Sequence, residues 1–184
     1  MRRRSLLATS LMGPLLAMSE TRAATPDVEN TVFMDLKDGR VVIELLPQIA
    51  PKHVERVKVL CSRHFYDNTP FHRVIEGFMA QGGDPTGTGT GGSDLPDLPA
   101  EFTDSMHFLR GTVGAARTQN PNSANSQFFI MFAPAPSLDG QYTIWGRVVQ
   151  GMEHVDHIKR GSGPNGIVQN PDRIKQMRLA ATAG

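Results

Sequence analysis

Five residues in two short runs carry the pattern most open to a chemical reading. They are Arg73, Met79 and Gln81 within Phe71–Gly82, and Gln127 and Phe129 within Ser126–Phe132. Side chains alternate along a strand, so Met79 and Gln81 share one face, and Gln127, Phe129 and Met131 share another. A turn near Gly77 sets Arg73 opposite Gln81. With the two runs as neighbours, one surface carries a guanidinium, two amides, a thioether and an aromatic ring. Directional donors over an apolar floor are the makings of a binding groove. Each residue alone reads as ordinary surface or core, so spacing leaves a groove and a plain sheet surface both open.

Covalent and cofactor chemistry find no support in the chain. Cys61 is the only cysteine, so no intramolecular disulfide can form. It follows Val54 and Val57 at helical spacing and reads as a small buried hydrophobe. The glycines between Gly87 and Gly92 lack the Gly-Lys-Ser/Thr ending of a phosphate loop, and Asp-Leu-Pro follows where a helix would start. They read as a loop. His154 and His157, with Glu153 and Asp156, read as a solvated helix face. No metal and no cofactor is expected.

The elements that must position the candidate groove follow from periodicity and punctuation. Thr31–Leu36 and Val41–Leu46 read as paired strands around Asp38-Gly39, a dipeptide suited to a type I′ turn. Pro51 opens a helix that runs to about Arg63, with Val54, Val57 and Cys61 as its apolar stripe. Phe71–Ile75 and Phe78–Gly82 read as a hairpin. The Gly- and Pro-rich stretch 83–99 reads as a long loop of the kind that is functional when ordered. Gly111–Arg117, Ser126–Phe132 and Tyr142–Val149 read as strands, Met152–Arg160 as a second helix, and Ile174–Ala180 as a last strand. Eighteen glycines and 13 prolines suit many short strands. The pattern predicts one mainly β domain, a closed eight-stranded antiparallel barrel capped by two α-helices.

The run Phe71-His72-Arg73-Val74-Ile75-Glu76-Gly77-Phe78-Met79-Ala80-Gln81-Gly82-Gly83-Asp84 closely resembles the signature of cyclophilin-type isomerases. Gly89-Thr90-Gly91-Gly92, Asn125-Ser126-Gln127-Phe128-Phe129-Ile130 and Leu138-Asp139-Gly140 follow in the family's order. The resemblance spans about Val32 to Leu179. It implies a barrel packed by side chains, with the groove on its outer surface. By position, Arg73 matches the family's catalytic arginine. Gln81 matches the glutamine that orients it and contacts the substrate backbone. Phe78, Met79, Phe129 and Leu138 match the pocket for the proline ring. Ala116, Arg117 and Gln127 match positions that bind the peptide before proline, with Gly89 on the neighbouring loop.

The implied reaction is rotation about an X–Pro amide, against a barrier of roughly 18–20 kcal/mol set by resonance. No bond breaks, so no nucleophile, metal or cofactor is needed. The implied partners are proline-containing segments of client proteins. Three positions depart from the eukaryotic form. Tyr142 stands in place of histidine and can still wall the pocket. Ser137 stands in place of the tryptophan of drug-sensitive members, so strong cyclosporin binding is not expected. Arg117 replaces asparagine, and Thr118–Asn125 is one residue longer, as in bacterial members.

Residues 1–23 read as an export signal. Arg2, Arg3 and Arg4 precede an apolar stretch from Leu6 to Met18 that Gly13-Pro14 interrupts, and Thr21-Arg22-Ala23 suits cleavage after Ala23. The stretch is short of the roughly 20 residues that span a bilayer, so no stable membrane insertion is expected. Residues 24–30 form a polar leader and 31–184 the domain. The whole chain has a formal charge of +1; removal of four Arg and one Glu with residues 1–23 leaves −2. That balance holds no basic excess for nucleic acid. A monomer, exported and most simply periplasmic, is the expectation.

Overall fold

A computed structural model describes residues 27–183. The expected export signal, with the first part of the leader, lies outside the described residues. The elements in chain order are β1 (Thr31–Asp35), β2 (Arg40–Leu45), α1 (Pro51–Ser62), β3 (Arg73–Ile75), β4 (Met79–Gly82), β5 (Thr112–Ala115), β6 (Phe128–Met131), β7 (Ile144–Gln150), α2 (Met152–Asp156) and β8 (Gln176–Leu179). No helix among the described residues is long and apolar enough to cross a membrane.

All strand pairs are antiparallel, in the order β3-β4-β6-β5-β7-β2-β1-β8. The expected continuous closure of the barrel is corrected here. The sheet curls into an open half-barrel, and no ladder joins its edge strands β3 and β8. Chain segments outside the strands span the seam instead. Asn68 N donates to Ile174 O at 2.7 Å, Ile174 N to Thr69 O at 3.0 Å, and Phe71 N to Asp172 O at 2.9 Å. Pro70 and Pro171 have no N–H to give a ladder at this point. The outer side of β3 is also taken, because Val74 N donates to Gly166 O at 2.7 Å.

Two further expectations shift. The β1–β2 turn is centred on Lys37-Asp38, one residue before the expected Asp38-Gly39. Its last ladder pair is Asp35 with Arg40, and Leu36 N donates to Gly39 O at 2.9 Å. Gly39 lies close against α2: a Cβ there would sit 2.4 Å from the His154 ring, which would have to move. The second helix stops at Asp156 instead of about Arg160. Ile158 turns into the core at 4% exposure, and Lys159 N donates to Asp172 Oδ2 at 2.7 Å, which draws the chain off the helix path.

Alternation along β6 divides the hydrophobic residues into two clusters on opposite faces of the sheet. Phe128 and Ile130 join the interior with Val32, Ile43, Leu60 and Trp145. Phe128 meets Tyr66, Phe71 and Trp145 edge-on, a preferred aromatic geometry. Phe129 and Met131 point to the outer face, where Met79, Phe108 and Ile144 form a second cluster with Phe78, Leu138 and Tyr142 against it. The Phe128–Met131 run is therefore covered on both faces. The long loop after β4 is tied down too: Ser93 N donates to Asn125 Oδ1 at 2.8 Å and Leu98 N to Ala124 O at 2.7 Å.

Candidate functional site

Backbone register alone brings the candidate residues together. Arg73 on β3 pairs with Gln81 on β4, and Gln81 pairs with Phe129 on β6. Met79 pairs with Met131 on the same two strands. One face of β4 and β6 thus presents Met79, Gln81, Phe129 and Met131 together. The tight approach of β5 completes the floor. A Cβ on Gly114 would lie 2.6 Å from the Phe129 ring and 2.8 Å from the Phe108 ring, so only glycine lets those two rings stack there. Their centroids are 5.6 Å apart with planes 25° off parallel.

A cavity of about 190 Å³ opens above this floor, lined by Arg73, Phe78, Met79, Gln81, Ala116, Arg117, Phe129, Leu138 and Tyr142. Phe78 reaches it from the β3–β4 turn, whose Phe78 N donates to Ile75 O at 3.1 Å beside Gly77 at φ +69°. Leu138 ends a 3-10 turn, Pro136–Leu138. Asp139 anchors that turn: its Oδ1 accepts from Phe108 N at 2.8 Å and its Oδ2 lies 2.8 Å from His107 Nδ1. The Phe108 N–H and then His107 hold the Asp139 carboxyl below its usual range. Tyr142 closes the far wall edge-on to Phe129, with centroids 5.6 Å apart.

A second depression of about 480 Å³ continues from the first past Gln81, Ala116 and Arg117, which line both. Gly89, Gly91, Asn125 and Gln127 line its other side. All eleven residues singled out in the sequence therefore line one continuous groove: nine line the smaller cavity, while Gly89 and Gln127 line the larger one.

The Arg73 guanidinium is held on two sides. Its Nε donates to Asn165 O at 3.0 Å and its Nη1 to Gln81 Oε1 at 3.2 Å. Gln81 Nε2 donates onward to Gln127 Oε1 at 3.0 Å. Gln127 Nε2 donates to Gly89 O at 3.0 Å and to Gly91 O at 2.9 Å. A doubly held cation thus stands beside a cavity with an apolar floor, with donor positions left over.

Arg117 lines both cavities and also braces a neighbouring turn. Its Nε and Nη2 donate to Gln141 O at 3.1 and 2.7 Å, and its Nη1 donates to Thr118 O at 2.9 Å. Its guanidinium lies 4.3 Å over the Tyr142 ring. The side chain braces the end of β5 against the Gln141–Tyr142 turn while lining the groove. Two contributors escaped the sequence reading. Asn165 acts through its backbone carbonyl, for which no sequence signal exists. Phe108 lies in a segment without strand periodicity; its only cue is being an aromatic residue shortly before β5. His154 and His157 stay apart from the groove, and among the described residues no three His, Cys, Asp or Glu side chains are placed to hold a metal ion.

Similar sequences and a similar fold occur in known proteins. Residues 31–179 match the model of the family "Cyclophilin type peptidyl-prolyl cis-trans isomerase/CLD". A relative from Brucella suis, named "Probable peptidyl-prolyl cis-trans isomerase", is 52% identical over 97% of this chain and 96% of its own length. The solved cyclophilin AquaCyp293 from Hirschia baltica superposes with a TM-score of 0.76 at 29% identity, covering 85% of this chain and 76% of that one. A cyclophilin-type isomerase of Cryptosporidium parvum, crystallised in the presence of the dipeptide Ala-Pro, gives 0.76 at 31% identity over 81% of this chain and 98% of its own. With its fold, its groove and its full-length relatives in agreement, the chain belongs to the cyclophilin-type peptidyl-prolyl cis-trans isomerases.

Proposed function

We propose that Arg73 is the catalytic residue of this isomerase and that the cavity beside it holds the proline ring of an extended client segment. The observation that carries this reading is the position of the Arg73 guanidinium, fixed between Asn165 O and Gln81 Oε1 in a cavity whose floor is built from Phe78, Met79, Phe129 and Leu138. As the X–Pro amide twists, resonance is lost and the proline nitrogen gains a lone pair. A fixed charged donor aimed at that nitrogen stabilises the twisted state more than either planar one, which is what lowers a barrier. Arginine stays charged at any relevant pH, so the donor is always available. Phe78, Met79, Phe129 and Leu138 hold the ring still while the preceding carbonyl swings. Gln81, Gln127, Gly89 and Ala116 bind the chain before proline, with Arg117 and Tyr142 as the wall. Cocrystallisation of the Cryptosporidium relative with Ala-Pro supports a ligand of the same class here.

A charge-assisted hydrogen bond contributes on the order of 1.5–3 kcal/mol, or roughly one to two decades of rate. Ring anchoring and exclusion of water supply the remainder. The test is an isomerase assay on residues 24–184 with an Ala-Pro peptide, run beside Arg73→Ala. A folded variant with a collapsed kcat/KM supports the reading, and an unchanged kcat/KM sinks it. A folded wild type that binds peptide without catalysis would mark a proline-binding chaperone.

The same reading places the enzyme outside the cytoplasm, acting on exported proteins as they fold. Its support is the Arg2–Arg4 start, the short apolar stretch and the Ala23 cleavage site of the first 23 residues. Recovery from the periplasmic fraction of a chain beginning at Ala24 would support export; a cytoplasmic chain that retains Met1 or Arg2 would refute it.

A further inference from the structure

Asp84 is a buried carboxylate, 0% exposed, on the loop that leaves β4 and returns along the groove. Its Oδ1 accepts from Thr86 N at 2.8 Å and from Thr86 Oγ1 at 2.7 Å. Its Oδ2 accepts from Gly89 N at 2.7 Å and from Gly91 N at 3.1 Å. Burial alone would raise its pKa; the Thr86 hydroxyl and the N–H groups of Gly91, Thr86 and Gly89 outweigh this and hold it below the usual carboxylate range. The loop is thus wrapped around an anion, with Gly87 and Gly89 at φ +69° and +86° to allow the wrapping.

The two glycines that Asp84 Oδ2 holds are also the two whose carbonyls hold Gln127. This sets a polarity. Two carbonyls can only accept, so the Gln127 amide must turn its NH2 towards them. Its Oε1 is then left for Gln81 Nε2, which in turn leaves Gln81 Oε1 for Arg73 Nη1. A flip of either amide would set a donor against a donor.

We infer that Asp84 is a positioning residue for isomerisation: by holding Gly89 and Gly91 it orients Gln127 and Gln81 and so aims Arg73. This rests on the Arg73 reading above for its effect on rate, though not for its effect on the two amides.

The experiment uses Asp84→Ala, Asp84→Asn, Arg73→Ala and the double variant Asp84→Ala/Arg73→Ala. Rates are read beside the NMR signals of the Gln81 and Gln127 side-chain amides and Arg73 Nε–H. In Asp84→Ala those signals are expected to move and kcat to fall roughly three- to tenfold, the effect of about one hydrogen bond's worth of alignment. Asp84→Asn keeps one oxygen for Gly89 and Gly91 and should restore most of the rate, which a merely structural loss of charge would not. The double variant should be no slower than Arg73→Ala. Should Asp84→Ala fail to fold, Gly91→Ala perturbs the same contact with Asp84 in place, since its Cβ would lie 2.1 Å from Asp84 Oδ1. Unmoved amide signals in the folded Asp84→Ala or Gly91→Ala chain overturn the inference. So does a double variant slower than Arg73→Ala by the full Asp84→Ala factor. If the signals move but Arg73→Ala leaves the rate unchanged, the Arg73 reading fails and the positioning of the amides by Asp84 stands.

Discussion

Gln81 faces Arg73 across the β3–β4 ladder and accepts a hydrogen bond from its Nη1 at 3.2 Å, while the opposite edge of the guanidinium donates to Asn165 O. One side chain and one main-chain carbonyl thus confine the charged head in a plane. Gln81→Leu removes the side-chain half of that clamp at similar size. A hydrogen bond to a charged group contributes about 1.5–3 kcal/mol, so kcat/KM on an Ala-Pro peptide should fall by about tenfold or more. A Gln81→Leu enzyme as fast as wild type would show that the Asn165 carbonyl suffices.

On the proposed reading, Phe129 serves both stability and substrate binding. It is 5% exposed, stacks on Phe108 and meets Tyr142 edge-on. Phe129→Ala should cost about 3–5 kcal/mol of stability and also open the floor of the ring pocket. Thermal unfolding should shift down by many degrees, and KM should rise in whatever fraction stays folded. A large KM effect with an unchanged Tm would mean that the ring packs only against substrate.

Cys61 is expected to be chemically silent in the folded protein. It is 1% exposed on the inner stripe of α1, and burial pushes its thiol up to about 12. A thiol reagent at neutral pH should label it only on the timescale of unfolding. Stoichiometric labelling within seconds under native conditions would contradict its placement.

Acid should destabilise the fold through buried histidines. His53 and His72 are 3% and 5% exposed, and burial lowers both from the ordinary value of 6.5. As pH falls through 6.5 the unfolded chain takes up protons that the native state refuses, so unfolding gains. Their contribution is complete above pH 6.5 and is lost progressively below it. Glu101 adds to the loss at lower pH. Burial would raise its carboxyl, but hydrogen bonds from the His53 side chain and from the Lys52 and His53 N–H groups of α1 hold it below 4.5. Thermal unfolding should give a Tm several degrees lower at pH 5.5 than at 7.5, and His72→Gln should make that difference smaller. A flat profile between those pH values would show that neither ring resists protonation.

Much of the groove was legible because its geometry is local. Arg73 and Gln81 flank one turn at Gly77, and period-two alternation follows wherever the chain is extended, so their pairing needs no knowledge of the rest. The same alternation sets Met79 beside Gln81 and Phe129 beside Gln127; that their shared face is the outer one is implied by the family resemblance. Pro51 and the Val54–Val57–Cys61 stripe likewise predict α1 from local constraint alone. What tertiary structure alone decided involves partners far apart in the chain. The half-barrel seam depends on residues 68–74 meeting 166–174, and residues 166–173 carry no periodic signal. Asn165 reaches Arg73 through a backbone carbonyl, a group every residue has. The early end of α2 follows from the Asp172 carboxylate, and the role of Arg117 as a strut follows from where Gln141 and Tyr142 happen to fold. Spacing along the chain specifies which side chains share a face; only the folded chain specifies which distant main-chain groups consume their hydrogen bonds.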